Sequence, residues 1–503
     1  MAQFVKLAPE AAKELRTVNP CLVSYNVEMT EVTGGTFWKA YTPEQIAGTE
    51  KFPPIAGMHE MAGLMQWYDP IDTTNPRLIK LAKALGPVWV RVSGTWATKT
   101  YYDFEGAGKA PEGWQNVLTK AQWLRLLDFV DAVGGKLLIS MANCEGLHSA
   151  EEPWNPSQAE KIFALSKEHG HPIDAVEFTN EPNIIEITGF PAGYTAAHFR
   201  RDQDLFHKWV RQNYPDTLIV GPCSTDSSAI KMGPEADSAK GGAGIADVMY
   251  CCTTEELMDG CTEKVDVFSY HYYNGISERL EAVMPDAHWQ AEQAHTEAYL
   301  AMAGRCARAF APYRDKYCPG GEMWVTESGD AGGGGDTWAS TYLDVLRTLN
   351  ELGAFATVTD GVIFHNTLAS SDYGYLQHGT FVPRPNYFAV LLWNTLMGTT
   401  VYDSGVAAEE GKHVYCHSRR DGKEGKAYLV INNSLENATT VELPKEATVY
   451  ALTGNGGMRA RTACLNGREL VLGENDEIPC LCGETVPAGT VQVAPGGCTF
   501  IVL

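Results

Sequence analysis

Ala175-Val176-Glu177-Phe178-Thr179-Asn180-Glu181-Pro182-Asn183 and Met323-Trp324-Val325-Thr326-Glu327-Ser328-Gly329 are the two stretches on which the fold turns. Each is a short β-type run with a carboxylate close behind it and strand-ending residues beyond, Pro182 in the first and Gly329 in the second. Active sites of (β/α)8 barrels stand at the C-terminal ends of their strands. Two glutamates at two such ends supply what glycosidic bond cleavage needs, a proton donor and a nucleophile or base. Pro182 disfavours helical geometry at Glu181, so an extended strand end is predicted there.

Working outward, six further runs bring the β-type segments to eight: Cys21–Val27, Val88–Val92, Lys136–Met141, Leu218–Gly221, Asp266–Tyr270 and Gly361–His365. Between them lie amphipathic stretches: Pro76–Leu85, opened by Asn75 and closed by Gly86, then Lys120–Val133, Pro156–His169 and Ala196–Tyr214. Strand and helix in alternation predict an α/β fold, a (β/α)8 TIM barrel over residues 21–395. A doubly wound open sheet would gather its polar residues at one switch point, whereas here they follow strands throughout the series. Beyond residue 395 short alternating strands take over, at His413–His417, Lys426–Asn432, Thr439–Leu443, Thr448–Leu452, Thr490–Val493 and Cys498–Val502. They predict an all-β sandwich over 396–503, to which the N-terminal segment 1–20 is free to add a strand. Lys231–Lys264, between strands five and six, is a long insertion whose length suits a subsite wall or lid as well as surface decoration.

The 503 residues exceed one small core and suit a barrel of roughly 250 to 400 residues with a smaller domain. Lys+Arg is 39 and Asp+Glu 62, a net charge of −23. That balance argues against nucleic acid, an anionic membrane or a long sulfated polysaccharide as partner, unless a local basic cleft overrules it. The N-terminal stretch carries no apolar signal core, and no run is long enough for a membrane span. The 13 cysteines are odd in number and irregular in spacing. They read as reduced thiols of a cytoplasmic protein, unless a leader has been removed. No cofactor motif or metal-binding set stands out; His413 and His417 lie too far apart along a strand to share an ion. His169, His171 and His365 read as structural. Oligomeric state is not legible.

Several side chains gather around the two glutamates by position. Asn180 can bond a sugar hydroxyl, and a Glu181 carboxyl kept protonated by its surroundings can protonate a leaving oxygen. Gly332–Gly335 follows Glu327, and such a run lets backbone N–H groups approach an anion as a nest. It lacks the Lys-Ser/Thr ending of a nucleotide loop. Ser269-Tyr270-His271-Tyr272-Tyr273-Asn274-Gly275 follows strand six, where a phenol can hold the nucleophile ionised and His271 can be a neighbouring donor. Glu28 after strand one and Arg91-Val92-Ser93-Gly94-Thr95-Trp96 at strand two add polar groups to the same mouth. So do the tyrosines of Asp372-Tyr373-Gly374-Tyr375 after strand eight.

These blocks resemble glycoside hydrolase family 79, the heparanases and β-glucuronidases. The likeness runs through Leu81-Ala82-x-x-Leu85-x-Pro87 with Arg91-x-x-Gly94-Thr95, Asn180-Glu181-Pro182-Asn183, His271-Tyr272-Tyr273-Asn274-Gly275 and Glu327-Ser328 with Gly332–Gly335. It closes on Pro385-Asn386-Tyr387-Phe388, Leu391-Leu392 and Gly398-Thr399. The resemblance implies a retaining mechanism with Glu181 as acid/base and Glu327 as nucleophile, Tyr272 orienting Glu327. It further implies that the backbone of Gly333 and Gly334 holds a uronic carboxylate with Tyr373 or Tyr375, and that Glu28 binds far hydroxyls of the terminal sugar. Ser93 and Trp96 depart from the heparanase-like pattern, and no basic clusters accompany it. The expected function is therefore a retaining exo-β-glucuronidase on small or oligosaccharide glucuronides. An endo-acting heparanase, a neutral-sugar glycosidase and a non-catalytic carbohydrate binder remain the alternatives.

Overall fold

The computed structural model describes residues 3–236 and 241–503; positions 237–240, inside the Lys231–Lys264 insertion, lie outside the described residues. Eight parallel strands close into a barrel in chain order: β1 (Val23–Glu28), β2 (Trp89–Ser93), β3 (Lys136–Ser140), β4 (Ala175–Glu177), β5 (Leu218–Ser224), β6 (Val267–Ile276), β7 (Met323–Gly332) and β8 (Ile363–His365). A helix follows each: α1 (Pro76–Ala84), α2 (Lys120–Val133), α3 (Ser157–His169), α4 (Ala196–Asn213), α5 (Thr254–Met258), α6 (Glu297–Tyr317), α7 (Leu343–Val358) and α8 (Pro385–Leu396). The fold is a (β/α)8 barrel.

Local chemistry sets the helix ends. The Asn75 side chain accepts from the N–H groups of Arg77 and Leu78, and Pro76 occupies the first turn of α1, where its missing N–H costs nothing. Thr119 and Gln122 form a reciprocal cap on α2, and Gly134 ends it in the left-handed region.

Strand alternation decides what fills the barrel. Trp89, Leu138, Ala175, Val220, Val267, Trp324 and Phe364 form a buried apolar plug, with the Trp89 and Trp324 rings 4.9 Å apart. Two residues further along several of these strands stand Arg91, Ser140, Glu177 and Ser269, all fully buried. The plug thus supports a polar layer toward the C-terminal mouth, where a side chain is held by partners rather than by packing.

The β domain takes strands from both ends of the chain. Gln3–Lys6 runs parallel to Thr439–Leu443, and Glu14–Thr17 pairs antiparallel with Met397–Tyr402. A three-stranded and a nine-stranded sheet enclose a second core that includes Val5, Val414, Tyr428, Val441 and Ile501. This domain rests on α7: Tyr415 donates to Asn350 Oδ1 at 2.7 Å, and its ring lies so close to Gly353 that any side chain there would collide. The expectation of reduced thiols fails at one pair, since Cys480 and Cys482 are joined in a disulfide. His413 bonds Glu297, His417 bonds the Gly398 carbonyl, and His169 and His171 pair with Asp128 and Asp131.

Candidate active site

A cavity opens at the C-terminal mouth of the barrel, lined from six strand ends by Glu28, Thr95, Asn180, Glu181, His271, Glu327 and Tyr373 among others. At its floor the polar layer forms a charge network. Arg91 donates to Glu177 from Nε (3.2 and 3.1 Å) and from Nη2 (2.6 Å), to Asn180 Oδ1 (2.8 Å) and, through Nη1, to Glu327 Oε2 (3.3 Å). Burial alone would push the Glu177 carboxyl up and the Arg91 guanidinium down; their mutual attraction reverses both. Ser93, Ser140 and Cys223 also donate to Glu177, so this carboxylate is spent on holding Arg91.

Both oxygens of Glu327 are held. Oε1 accepts from the Tyr273 hydroxyl at 2.5 Å and from Asn366 Nδ2 at 3.2 Å. Oε2 faces Arg91 Nη1 and lies 3.5 Å from His271 Nδ1. The orienting hydroxyl is thus that of Tyr273, not Tyr272, whose hydroxyl donates to Asn274 Oδ1 at 2.7 Å while its ring packs edge-on against Phe355. Strand alternation explains the correction: His271 and Tyr273 lie two apart and share a face, and Tyr272 faces the other way. Glu327 itself owes its direction to an irregularity. His271 pairs with Glu327 while Tyr270 pairs with Val325, so Thr326 is the extra residue, and the shift turns Glu327 toward the barrel mouth. Asn366 is itself oriented by Asn26, whose Nδ2 donates to Asn366 Oδ1 at 3.2 Å.

Glu181 stands four residues past the end of β4, and its backbone is not extended as predicted. Its φ is +43°, a left-handed conformation that costs a non-glycine residue about 1–3 kcal/mol. The turn is fixed by its N–H donating to the Cys223 carbonyl (3.2 Å) and its carbonyl accepting from the Ile184 N–H (3.1 Å). Its Oε1 lies 3.0 Å from His271 Nδ1. Arg91 Nη2, which can only donate, lies 3.3 Å from His271 Nε2. Nε2 must accept, so the imidazole proton sits on Nδ1 and points at Glu181. Burial, with Arg91 opposing a second positive charge, lowers His271 to about 4, so the ring stays neutral. Burial raises the Glu181 carboxyl to about 7. One oxygen of Glu181, one of Glu327 and a ring nitrogen of His271 all lie within 4.8 Å of one another. Among the described residues this is the group that could hold a metal ion.

The glycine run adopts a shape other than the nest expected of it. Gly333, Gly334 and Gly335 have φ of +90°, +94° and +81°, one hand three times, whereas a nest alternates hands. The carbonyls are tied down: Gly332 accepts from the Ser277 N–H, Gly333 from Ser277 Oγ and Arg279, Gly334 from Ser371 Oγ and the Asp372 N–H, and Gly335 from Arg279. In a peptide unit C=O and N–H point oppositely, so the N–H groups of Gly333 and Gly334 point away from these anchors. Gly332 and Gly333 line the cavity, while Gly334 sits a step behind, wedged against Trp38 and Ser371. Arg279 organises this turn. It is fully buried, pairs with Asp372 at 2.6 Å and lies 3.8 Å over the Tyr41 ring.

Of the two strand-eight tyrosines, Tyr373 is the one at the cavity, its hydroxyl accepting from Asn366 Nδ2 at 3.0 Å. Tyr375 is stacked on His365 with centroids 3.9 Å apart, in the packing behind the site. Glu28 lines the cavity, and burial, with the Glu327 and Glu31 charges, pushes its carboxyl well up. Gly94 is required beside it, since any Cβ there would lie 1.7 Å from Glu28 Oε2. Sequence reading missed Arg279, Asn366 and Glu177. Period-two counting from His271 would have found Tyr273.

No protein-family model matches the chain. In sequence it is 25% identical over 490 residues to heparanase-like protein 1 of Arabidopsis thaliana, covering 86% of this chain and 85% of that protein. It is 26% identical over 455 residues to a hyaluronoglucuronidase of Hirudo nipponia, covering 81% and 85%. A third relative, the baicalin-β-D-glucuronidase of Scutellaria baicalensis, is 30% identical over 188 residues, 36% of each chain. In fold, a 4-O-α-L-rhamnosyl-β-D-glucuronidase from Fusarium oxysporum superposes with a TM-score of 0.61 at 13% identity, covering 100% of both chains. An α-L-arabinofuranosidase from Thermotoga petrophila does so at 0.59 and 14%, covering 100% of this chain and 99% of the other. The chain resembles the heparanase and glucuronidase group, glycoside hydrolase family 79, along most of its length.

Proposed function

We propose that this chain, a glycoside hydrolase of the heparanase and glucuronidase type, is a retaining exo-β-glucuronidase. The observation that carries the reading is the convergence of Glu181 and Glu327 around His271, with a carboxylate oxygen of each inside 4.8 Å. Retaining enzymes hold their carboxyl groups about 5–5.5 Å apart, and inverting enzymes hold them roughly 6.5–9.5 Å apart to admit a water.

The steps we propose are consistent with this geometry. His271 Nδ1–H occupies Oε1 of Glu181, so the acidic proton sits on Oε2 and passes to the leaving oxygen. As the anomeric C–O bond breaks, the Glu327 carboxylate closes a new bond to the same carbon. Tyr273, Asn366 and Arg91 hold that carboxylate with its charge spread over three donors, which orients it before attack. Glu181, now ionised, takes a proton from the water that cleaves the glycosyl ester, and Glu327 is returned as carboxylate. The strained turn at Glu181 serves this double role by fixing the carboxyl without a cationic partner of its own.

Support for a uronic acid comes from Gly333 and Tyr373, which both line the cavity and offer an N–H and a hydroxyl suited to a carboxylate. Trp38, against Gly334, lines the cavity beside the glycine turn. The names of the relatives include both glucuronidase and heparanase, and a heparan chain would need a cationic groove. Among the described residues no lysine or arginine lines the cavity. The test is a panel of 4-nitrophenyl β-glycosides. The glucuronide is expected to exceed the glucoside, galactoside and xyloside in kcat/KM by at least tenfold; equal or greater activity on the glucoside would refute the sugar assignment.

A further inference from the structure

We infer that the outer half of the cavity is a subsite for an uncharged, apolar aglycone, an aliphatic or aromatic alcohol rather than a further anionic sugar. The inference rests on the acid/base role given to Glu181. The group protonated by Glu181 must lie beside it, and the cavity there carries an apolar wall, with Thr225, Asp226 and Ser227 as its polar edge. Ile184 and Ile187 follow Glu181 in its own loop, Ile230, Met232 and Ile245 come from the long connection after β5, and Val283 comes from the connection after β6.

The wall is built rather than draped. Met232 and Ala243 exchange backbone hydrogen bonds of 2.8 and 3.0 Å as an antiparallel bridge. Lys231 Nζ holds both oxygens of Asp247 at 2.6 Å. Gly233 lies so close to the β6 connection that a Cβ on it would fall 2.0 Å from the Asp286 carbonyl. Met232 packs there against a small buried cluster of Ala243, Ile276, Met284 and Ala287. Of the segment that the sequence left open between subsite wall and decoration, Met232 and Ile245 line the cavity.

Charge gives the same answer. The ionisable side chains among the described lining residues include Glu28, Glu181, Asp226 and Glu327, and no lysine or arginine. Asp226 is committed elsewhere, to the Ser228 hydroxyl and backbone N–H (2.5 and 2.8 Å) and to the Thr254 N–H (2.5 Å). A sulfated or uronic leaving group would shed its hydration against hydrocarbon with no cation to receive it. An apolar one is favoured by every Å² it removes from water.

The experiment compares n-alkyl β-glucuronides from methyl to hexyl on the wild-type protein. Their leaving alcohols are of similar acidity, so only apolar area changes. kcat/KM is expected to rise at least tenfold from methyl to hexyl, and the hexyl-to-methyl ratio to collapse below about threefold in Ile187→Lys and Met232→Lys. A flat series with hydrolysis intact, or a sulfated glucuronyl disaccharide cut faster than the hexyl glucuronide, would overturn the subsite. Running n-alkyl β-glucosides in parallel separates this from the sugar assignment: a chain-length gradient in glucosides with inert glucuronides would uphold the subsite and refute the glucuronidase.

Discussion

Replacing Tyr273 by Phe removes one hydroxyl and leaves the ring in place. That hydroxyl donates to Glu327 Oε1 at 2.5 Å and accepts from Asn366 Nδ2 at 3.0 Å. Burial, with the Glu327 charge adding to it, pushes the Tyr273 phenol well above its ordinary value, so it remains a neutral donor across the working pH range. A hydrogen bond to a charged acceptor contributes about 1.5–3 kcal/mol. At about 1.36 kcal/mol per decade of rate, Tyr273→Phe should lower kcat/KM on an aryl glucuronide roughly ten- to 150-fold. Tyr272→Phe is the matched control. Its hydroxyl serves Asn274, so its loss should cost about 1 kcal/mol of folding stability and less than threefold in kcat/KM. The assay is steady-state turnover of both variants beside urea unfolding. If Tyr273→Phe stays within threefold of wild type, or Tyr272→Phe falls as far as it does, the assignment of Tyr273 to the nucleophile is wrong.

Other consequences are equally direct. Glu181 must be protonated to act and titrates near 7, so kcat/KM should fall as pH rises through about 7, and Glu181→Gln should lose that limb while azide restores turnover of an activated aryl glucuronide; an unchanged limb in the variant would point to another acid. Arg279→Lys keeps the charge but loses the fork that ties Gly333 and Gly335; the glucuronide-to-glucoside ratio should drop about tenfold, and an unchanged ratio would remove the glycine turn from carboxylate recognition. Stability should fall on the alkaline side. Burial raises Glu31 to about 8 and Glu351, like Glu181, to about 7, so the native state keeps protons that the unfolded chain releases above its ordinary carboxylate pKa. That contribution is complete below about pH 4.5 and is lost as pH rises through 7 to 8; the urea midpoint should drop between pH 5.5 and 8.5, and Glu31→Gln should flatten the drop.

The barrel was legible because its determinants are local. Eight β-type runs and four of the helices read from the sequence coincide with observed elements to within a few residues at most ends. The larger differences lie at β6 and β7, which continue to Ile276 and Gly332 because the two strands go on pairing past the barrel rim. Polar functional residues there hide the alternation that marks a strand. Glu181 and Glu327 could be found because each follows an apolar run. Their exact presentation could not, since one depends on a left-handed turn held by Cys223 and the other on an extra residue in β7. Arg279 draws its partners from Lys39, Gly333, Gly335 and Asp372, four positions that only the fold brings together. Asn366 likewise meets Asn26 and Tyr273 from distant strands. Likeness to a motif points to Tyr272, whereas the strand period points to Tyr273.

Whether Glu327 attacks while Glu181 protonates is decided by the anomer first released from an aryl β-glucuronide, followed by proton NMR before mutarotation. Double displacement through a Glu327 ester predicts that β-glucuronic acid appears first. Initial release of the α-anomer would mean that water attacks directly, and Glu327 would not be the nucleophile.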